Sequence, residues 1–142
     1  MKLSDKLKQH QNLIDEKLRG SLYKIHEGQT GGVVFMQHQD GTFVECWTQD
    51  EPEKMDWYKA REYVQTLNYG GFSDWSLPTK NELDEMFDNK DKIGKFQNDW
   101  YWSDTEEDED EFDAWDQHFS TGSQDNSYKD DPSRVRAVRR FK

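Results

Sequence analysis

Gly70-Gly71-Phe72-Ser73-Asp74-Trp75-Ser76-Leu77-Pro78-Thr79 separates two helical patterns and decides how the chain is arranged. Two adjacent glycines supply the positive φ of a helix C-cap or a tight turn. Ser73 and Asp74 carry short side chains that bond nearby backbone amides. Trp75 and Leu77 alternate with Ser76, the period of a short extended segment with one buried face. Pro78 keeps Leu77 out of the helical region. Thr79 followed by Glu82 is a capping box, so a helix starts there. The stretch reads as a packed connector between two helices, with Trp75 as its buried anchor.

Upstream of it, Trp57, Ala60, Tyr63, Val64 and Leu67 recur at helical spacing, and Asp56 is the expected N-cap. Before that helix lie two apolar runs, Val33 to Gln37 and Thr42 to Trp47, with the hairpin signal Asp40-Gly41 between them. Downstream, Leu83, Met86 and Phe87 give the second helix an apolar face, and residues 88–99 read as a polar loop. Trp100 to Ser103 reads as a strand. Ala114 to Phe119 reads as another, with Trp115 and Phe119 on one face and Gln117 between them. Between these two runs lies the acidic segment Asp104 to Asp113. Ser120 to Ser123 is a turn, and residues 124–133 read as a polar loop in which Tyr128 is the only large apolar group. Arg134 to Phe141 closes the chain as a strand, with Val135, Ala137 and Val138 directed inward. At the other end, Leu3, Leu7, Ile14 and Leu18 predict an amphipathic helix over residues 2–19, stopped by Gly20. That helix reads either as packed on its own domain or as a short dimerisation helix.

A chain of 142 residues is expected to form one main domain, here residues 21–142 behind the helix of residues 1–20. Leu, Ile, Val and Phe number only 25, and the net charge is -11, a composition on the border of disorder. Against this stand 6 Trp, 6 Tyr and 8 Phe, which bury large areas per residue and can build a core that the aliphatic residues do not. The mean field of so acidic a chain repels polyanions, so nucleic acid and anionic membrane surfaces are not expected partners. Cys46 is the only cysteine, which rules out an intrachain disulfide. No apolar run approaches a membrane span, and the first residues lack the apolar core of a secretory signal. The expected location is the cytoplasm, with export by a non-classical route left open.

Catalytic chemistry has little to stand on. Cys46 reads as a small buried hydrophobe. His10, His26, His38 and His118 are scattered without a metal-ligand spacing. No nucleophile, base and orienter assemble from the sequence. The expectation is a protein that is not an enzyme and that holds no cofactor and no metal. The run Asp104, Glu106 to Glu111 and Asp113 has the carboxylates that calcium wants, but not the glycine and ordered spacing of an EF-hand loop. It reads as a solvated acidic loop, with Arg134, Arg136, Arg139, Arg140 and Lys142 facing it in surface ion pairs. Trp100, Trp102 and Trp115 could form a sugar-stacking platform.

Three pieces in order resemble a known family. They are Gly31-Gly32-Val33-Val34-Phe35; the stretch Gly70 to Thr79 with Glu82-Leu83; and an ending made of Tyr101-Trp102-Ser103, Ala114-Trp115 with Phe119 and Gly122, and Val135 to Arg139. The chain resembles the Lcl C-terminal domain family, named for a bacterial collagen-like adhesin, over about residues 31 to 141. The resemblance implies an α+β, C-type-lectin-like fold, close to the branch that includes formylglycine-generating enzymes. In such a fold two helices flank a small antiparallel sheet with a long loop-rich region. The resemblance implies core positions for Trp102 and Trp115. Many members carry cysteines at the positions of Val64 and Ala137, for which the resemblance implies a helix-to-strand disulfide. Here both positions are apolar, which suits a reducing compartment. The late cysteine pair of the formylglycine-generating enzymes has no counterpart in Cys46.

The expected function is therefore a non-catalytic ligand-binding module; the alternatives are a structural or assembly protein that forms homo-oligomers through residues 2–19, and, third, an orphan enzyme. The resemblance implies binding through the late, loop-rich half. Composition points to the same place: Glu107, Asp108, Glu109, Asp110 and Glu111 in one loop, and Gln124, Asp125, Asn126 and Tyr128 in the next, set adaptable polar groups around one rigid aromatic. The expected partner is a protein or a neutral polar ligand.

Overall fold

The Asp40-Gly41 turn, the Asp56 N-cap and the Thr79/Glu82 capping box read from sequence are met in the computed structural model, which describes residues 30–142. The helix expected over residues 2–19 lies outside the described residues. β1 (Val33–Gln37) and β2 (Phe43–Cys46) pair antiparallel across the Asp40-Gly41 turn, where the Asp40 carboxylate accepts the Thr42 N–H at 2.9 Å. α1 (Trp57–Val64) starts at Asp56, whose carboxylate accepts the Lys59 N–H at 2.8 Å. α2 (Lys80–Asp88) starts on the complete Thr79/Glu82 capping box. The polar stretch after it contains one helical turn, α3 (Lys90–Ile93), whose Ile93 is buried. β3 (Trp100–Glu106), β4 (Asp113–His118), β5 (Gln124–Tyr128) and β6 (Val138–Phe141) complete the chain.

The result is α+β, with two antiparallel sheets of three strands in the orders β1-β2-β6 and β3-β4-β5, where the sequence reading expected one. β6 returns from the end of the chain to pair with β2, setting Cys46 against Val138. The strand expected over Arg134 to Phe141 is regular only from Val138. Its first half runs extended between other segments: Arg134 exchanges backbone hydrogen bonds with Trp100 and Trp102, and Glu51 N–H donates to the Val135 carbonyl.

The central connector works as the sequence predicts, with one refinement. α1 ends at Val64, so the glycine pair forms a separate tight turn. Gly70 and Gly71, at φ 62° and 85°, link Tyr69 and Phe72, which exchange backbone hydrogen bonds of 3.1 Å each way. Both central residues at positive φ match the hairpin turn that favours glycine. A Cβ on Gly70 would fall 2.2 Å from the Thr30 Cα, so bare backbone is required there. Beyond the turn, Ser76 pairs with Val138 through bonds of 2.8 and 2.9 Å, which turns Trp75 and Leu77 inward together. They join Trp57, Trp102 and Ala137 in one apolar cluster under α1. Leu83, Met86, Tyr101 and Phe119 anchor a second cluster under α2, which includes the buried Cys46. The β3-β4-β5 sheet separates α1 from α2, and β5 forms its free-standing edge.

Candidate functional site

The residues singled out in the late half meet on the β3-β4-β5 sheet. β5 is a strand, where the sequence reading expected a loop. Its register sets Tyr128 opposite Asp113, Asn126 opposite Trp115, Asp125 opposite Asp116 and Gln124 opposite Gln117. Strand polarity follows from two bonds of the ladder: His118 N–H donates to the Ser123 carbonyl at 2.9 Å, and Lys129 N–H to the Phe112 carbonyl at 2.8 Å. By alternation, the backbone groups of Gln124, Asn126 and Tyr128 point away from β4.

Glu107 to Glu111 form the connection from β3 to β4. This connection is held by its own side chains: Glu107 Oε2 accepts the Glu109 N–H and Asp110 Oδ1 accepts the Phe112 N–H, each at 2.9 Å. The end of the run reaches β5 through Lys129, whose Nζ donates to the Glu111 carbonyl at 2.5 Å and to Glu106 Oε1 at 3.0 Å. Thus Glu111 and Tyr128 share one end of the sheet. Gln124 lies at the other end, where its Nε2 donates to the Lys80 carbonyl at 3.0 Å, so it braces α2 against the sheet.

The arginines of the last stretch do not face the acidic run. Arg134 pairs with Asp99, Arg136 with Asp50, Arg139 with Glu45 and Asp74, and Arg140 with Glu82. Their partners sit on β2, on the connectors and in the first turn of α2 because the last stretch threads between those elements. The acidic run instead meets Arg61, which pairs with Asp104 at 2.8 Å, and Lys129, which pairs with Glu106 at 3.0 Å. Burial, then the neighbouring Asp110 and Glu107, push the Asp113 carboxyl above its ordinary range. Among the described residues, no three His, Cys, Asp or Glu side chains are grouped to hold a metal ion.

Trp115 is also placed differently from expectation. It shares a sheet face with the buried Phe119, as alternation requires, but it remains half-buried beyond the start of α2. The Lys80 ammonium lies 3.4 Å from its ring centroid, a cation–π contact. Trp102 is core as expected, and its Nε1 donates to the Met55 carbonyl at 2.9 Å. Two exposed aromatic residues, Phe112 and Tyr58, were missed from sequence. Phe112 is 63 % exposed and Tyr58 50 %, and with Tyr128 at 65 % they are the exposed large apolar side chains among the described residues. Phe112 stands opposite Lys129 in the ladder, and the Lys129 ammonium lies 4.5 Å from the Trp57 ring and 5.8 Å from the Tyr58 ring. Phe112 was hidden from the sequence reading by the acids around it. Tyr58 was hidden by its place on the polar side of a helix.

Charge distribution distinguishes residues 104–131 from the rest of the chain. Twelve acidic residues and one lysine, Lys129, lie between Asp104 and Asp131, and together they account for the whole net charge of -11. The remainder of the chain is neutral. One of the twelve, Asp116, is 2 % exposed. Its Oδ2 accepts the Ser127 hydroxyl at 2.6 Å, while its Oδ1 is buried without a hydrogen-bond partner. Burial raises its carboxyl to about 6, against the smaller downward pull of the Ser127 hydroxyl.

The sequence pattern of the Lcl C-terminal domain matches residues 32–139, from just before β1 into β6. The chain belongs to the Lcl C-terminal domain family. No curated protein matches the chain in a direct sequence comparison. The matched span of this Lcl C-terminal domain includes both sheets and the acidic surface. Val64 and Ala137, the positions for which the resemblance implied a disulfide, are both buried in the cluster under α1, where apolar packing occupies that place. Cys46, the one cysteine of the chain, is buried, and burial pushes its thiol up to about 12.

Proposed function

We propose that this Lcl C-terminal domain is a non-catalytic binding module of C-type-lectin-like fold. It recognises a cationic segment of another protein through the β3-β4-β5 sheet and its acidic turn. The observation that carries the reading is that the segment 104–131, which holds the entire net charge of the chain, also exposes the aromatic side chains of Phe112 and Tyr128. Complementary charge steers association and selects partners, and exposed aromatics supply the apolar contact that gives affinity. The chemistry of the domain supports binding over catalysis. The Cys46 thiol is buried, His38 is held by Glu82, and His118 is held by the Ser120 hydroxyl.

The test is an interaction screen with the full chain, followed by Asp125→Ala, Asn126→Ala and Tyr128→Ala combined. The triple variant is expected to keep its melting temperature and to lose affinity for the partner. The partner's affinity is expected to fall as salt rises. Unchanged affinity in the folded triple variant, and again after Glu107 to Glu111 are neutralised, removes the proposal.

A further inference from the structure

We propose that β5 receives the partner as an added strand: an extended segment carrying lysine or arginine pairs with the open edge of the β3-β4-β5 sheet. The inference rests on the functional reading above and adds the mode of recognition. The edge is available in the sense that matters for strand addition. The Gln124 and Tyr128 N–H groups and the Gln124 and Asn126 carbonyls point outward, and among the described residues nothing pairs with them. A row of unpaired backbone groups on an edge is a template for another strand.

Two details of the edge select its occupant. The Asn126 N–H, which also points outward, is taken by the Asp125 Oδ1 at 2.8 Å. This blunts the edge against a neutral strand and sets a carboxylate beside the incoming backbone. A basic side chain opposite Asp125 makes a favourable cross-strand pair, whereas an acidic one there is repelled. Past Tyr128, a cationic segment runs on toward Asp130 and the Glu111 end of the acidic turn. A second copy of this chain is a poor occupant by the same physics. Pairing β5 with β5 would bring two acidic stretches together, each holding all of its chain's excess charge. Alternation gives the specificity: residues of the added strand lie beside Asn126 and Tyr128 on one face and beside Asp125 and Ser127 on the other.

The probe is the peptide acetyl-Lys-Val-Lys-Thr-Lys-Val-amide, compared with a copy bearing methyl groups on two adjacent central amide nitrogens. The methyl groups block both peptide edges and leave the charge unchanged. A third peptide has glutamate in place of lysine. Binding to the full chain is followed by amide NMR shifts and hydrogen exchange. The lysine peptide is expected to shift resonances in residues 104–131 and to slow exchange at the outward amides of Gln124 and Tyr128. The Asp125 and Ser127 amides, already bonded to β4, are expected to change little. Methylation is expected to weaken binding by about tenfold or more, the scale of one lost hydrogen bond. The glutamate peptide is expected not to bind. Equal binding by the methylated peptide would overturn strand pairing and leave the acidic-surface reading standing. Equal binding by the glutamate peptide would overturn the choice of a cationic occupant. No shift in residues 104–131 with any peptide would overturn both proposals.

Discussion

Arg136, with no exposed side-chain surface, donates through Nε to Asp50 Oδ1 at 2.9 Å and so ties the last stretch of the chain to the segment after β2. Its Nη1 donates to the Trp47 and Gly94 carbonyls at 3.0 Å each, and its guanidinium lies 3.9 Å from the Phe96 ring. The Tyr101 hydroxyl donates to the other Asp50 oxygen at 2.7 Å and accepts the Gln97 N–H at 2.9 Å. One buried ion pair thus gathers four separate segments between the two sheets.

Removing one member of such a pair strands the other. Arg136→Ala should cost about 3–5 kcal/mol, because it leaves Asp50, only 12 % exposed, without its cation. Tyr101→Phe should cost about 1–3 kcal/mol, because both the carboxylate and the Gln97 N–H lose a partner. Urea unfolding of the three proteins checks both values; an Arg136→Ala protein within experimental error of wild type would show that the network does not hold the sheets together.

The connector gives a second pair of outcomes. Trp75 is buried, its Nε1 donates to the Phe72 carbonyl at 2.9 Å, and its ring meets Trp47 and Tyr69 edge-on, each at 5.8 Å. Trp75→Ala should cost about 3–5 kcal/mol as a large-to-small core change. Thr79→Ala removes half of the capping box and should cost about 1 kcal/mol. The expected order of melting temperatures is wild type, Thr79→Ala, Trp75→Ala. A Trp75→Ala protein that melts with wild type would deny the connector its organising role.

These local devices were legible in the sequence because their chemistry is local. Asp56, Thr79 with Glu82, Asp40-Gly41 and Gly70-Gly71 each fix a backbone conformation through groups a few residues away. The features that were not legible depend on distant partners. β5 has no apolar alternation, since Gln124, Asp125, Asn126 and Ser127 are all polar, and only the register with β4 makes it a strand. The face of Trp115 followed from parity, but its exposure depends on where α2 begins over the sheet, which the Lys80 contact marks. The arginines follow the path of the last stretch through the fold, so charge alone misassigned their partners. Of the candidate site, Tyr128, Asp125 and Asn126 were named from composition alone. The backbone edge that unites them became visible only with the sheet.

Asp116 predicts a pH dependence. Its carboxyl is raised from 3.8 to about 6 in the folded chain, chiefly by burial. A raised acid makes the native state bind more protons than the unfolded state between those values, so its contribution falls as pH rises through that window. Below 3.8 the cost is absent, and above about 6 it is complete. Asp116→Asn removes the ionisation, so the variant should gain stability relative to wild type as pH rises through the window. The check is the difference between the two melting temperatures at each pH; a difference that stays flat, or that turns the other way, would show that Asp116 ionises as freely in the fold as outside it.

Calcium offers a separate check on the acidic turn. Two of its carboxylates are spent on the turn's own N–H groups. Millimolar calcium should therefore change the melting temperature little, whereas a site filled to 100 times its dissociation constant would add about 2.7 kcal/mol. A rise of several degrees that disappears in Asp108→Asn with Asp110→Asn would establish a metal site there.

Lys129 gives the last prediction. It is the one cation between Asp104 and Asp131, and it is buried with its ammonium on Glu106 Oε1, the Glu111 carbonyl and the Trp57 ring. Lys129→Met keeps much of the apolar stem but leaves the Glu111 carbonyl without its donor and adds to the local excess of negative charge. The unpaired carbonyl should cost about 1–3 kcal/mol. The repulsion should add a part that salt can screen, because the surrounding acids are mostly exposed. Melting of both proteins from about 0.01 M to about 1 M salt separates the two contributions, since the Debye length shrinks from about 30 Å to about 3 Å over that range. Wild type should gain stability with salt and Lys129→Met should gain more, with a remaining deficit at high salt that belongs to the lost hydrogen bond. A deficit that does not shrink with salt would place the whole effect in packing and hydrogen bonding, and a variant as stable as wild type at low salt would show that Lys129 does not hold the acidic turn against β5.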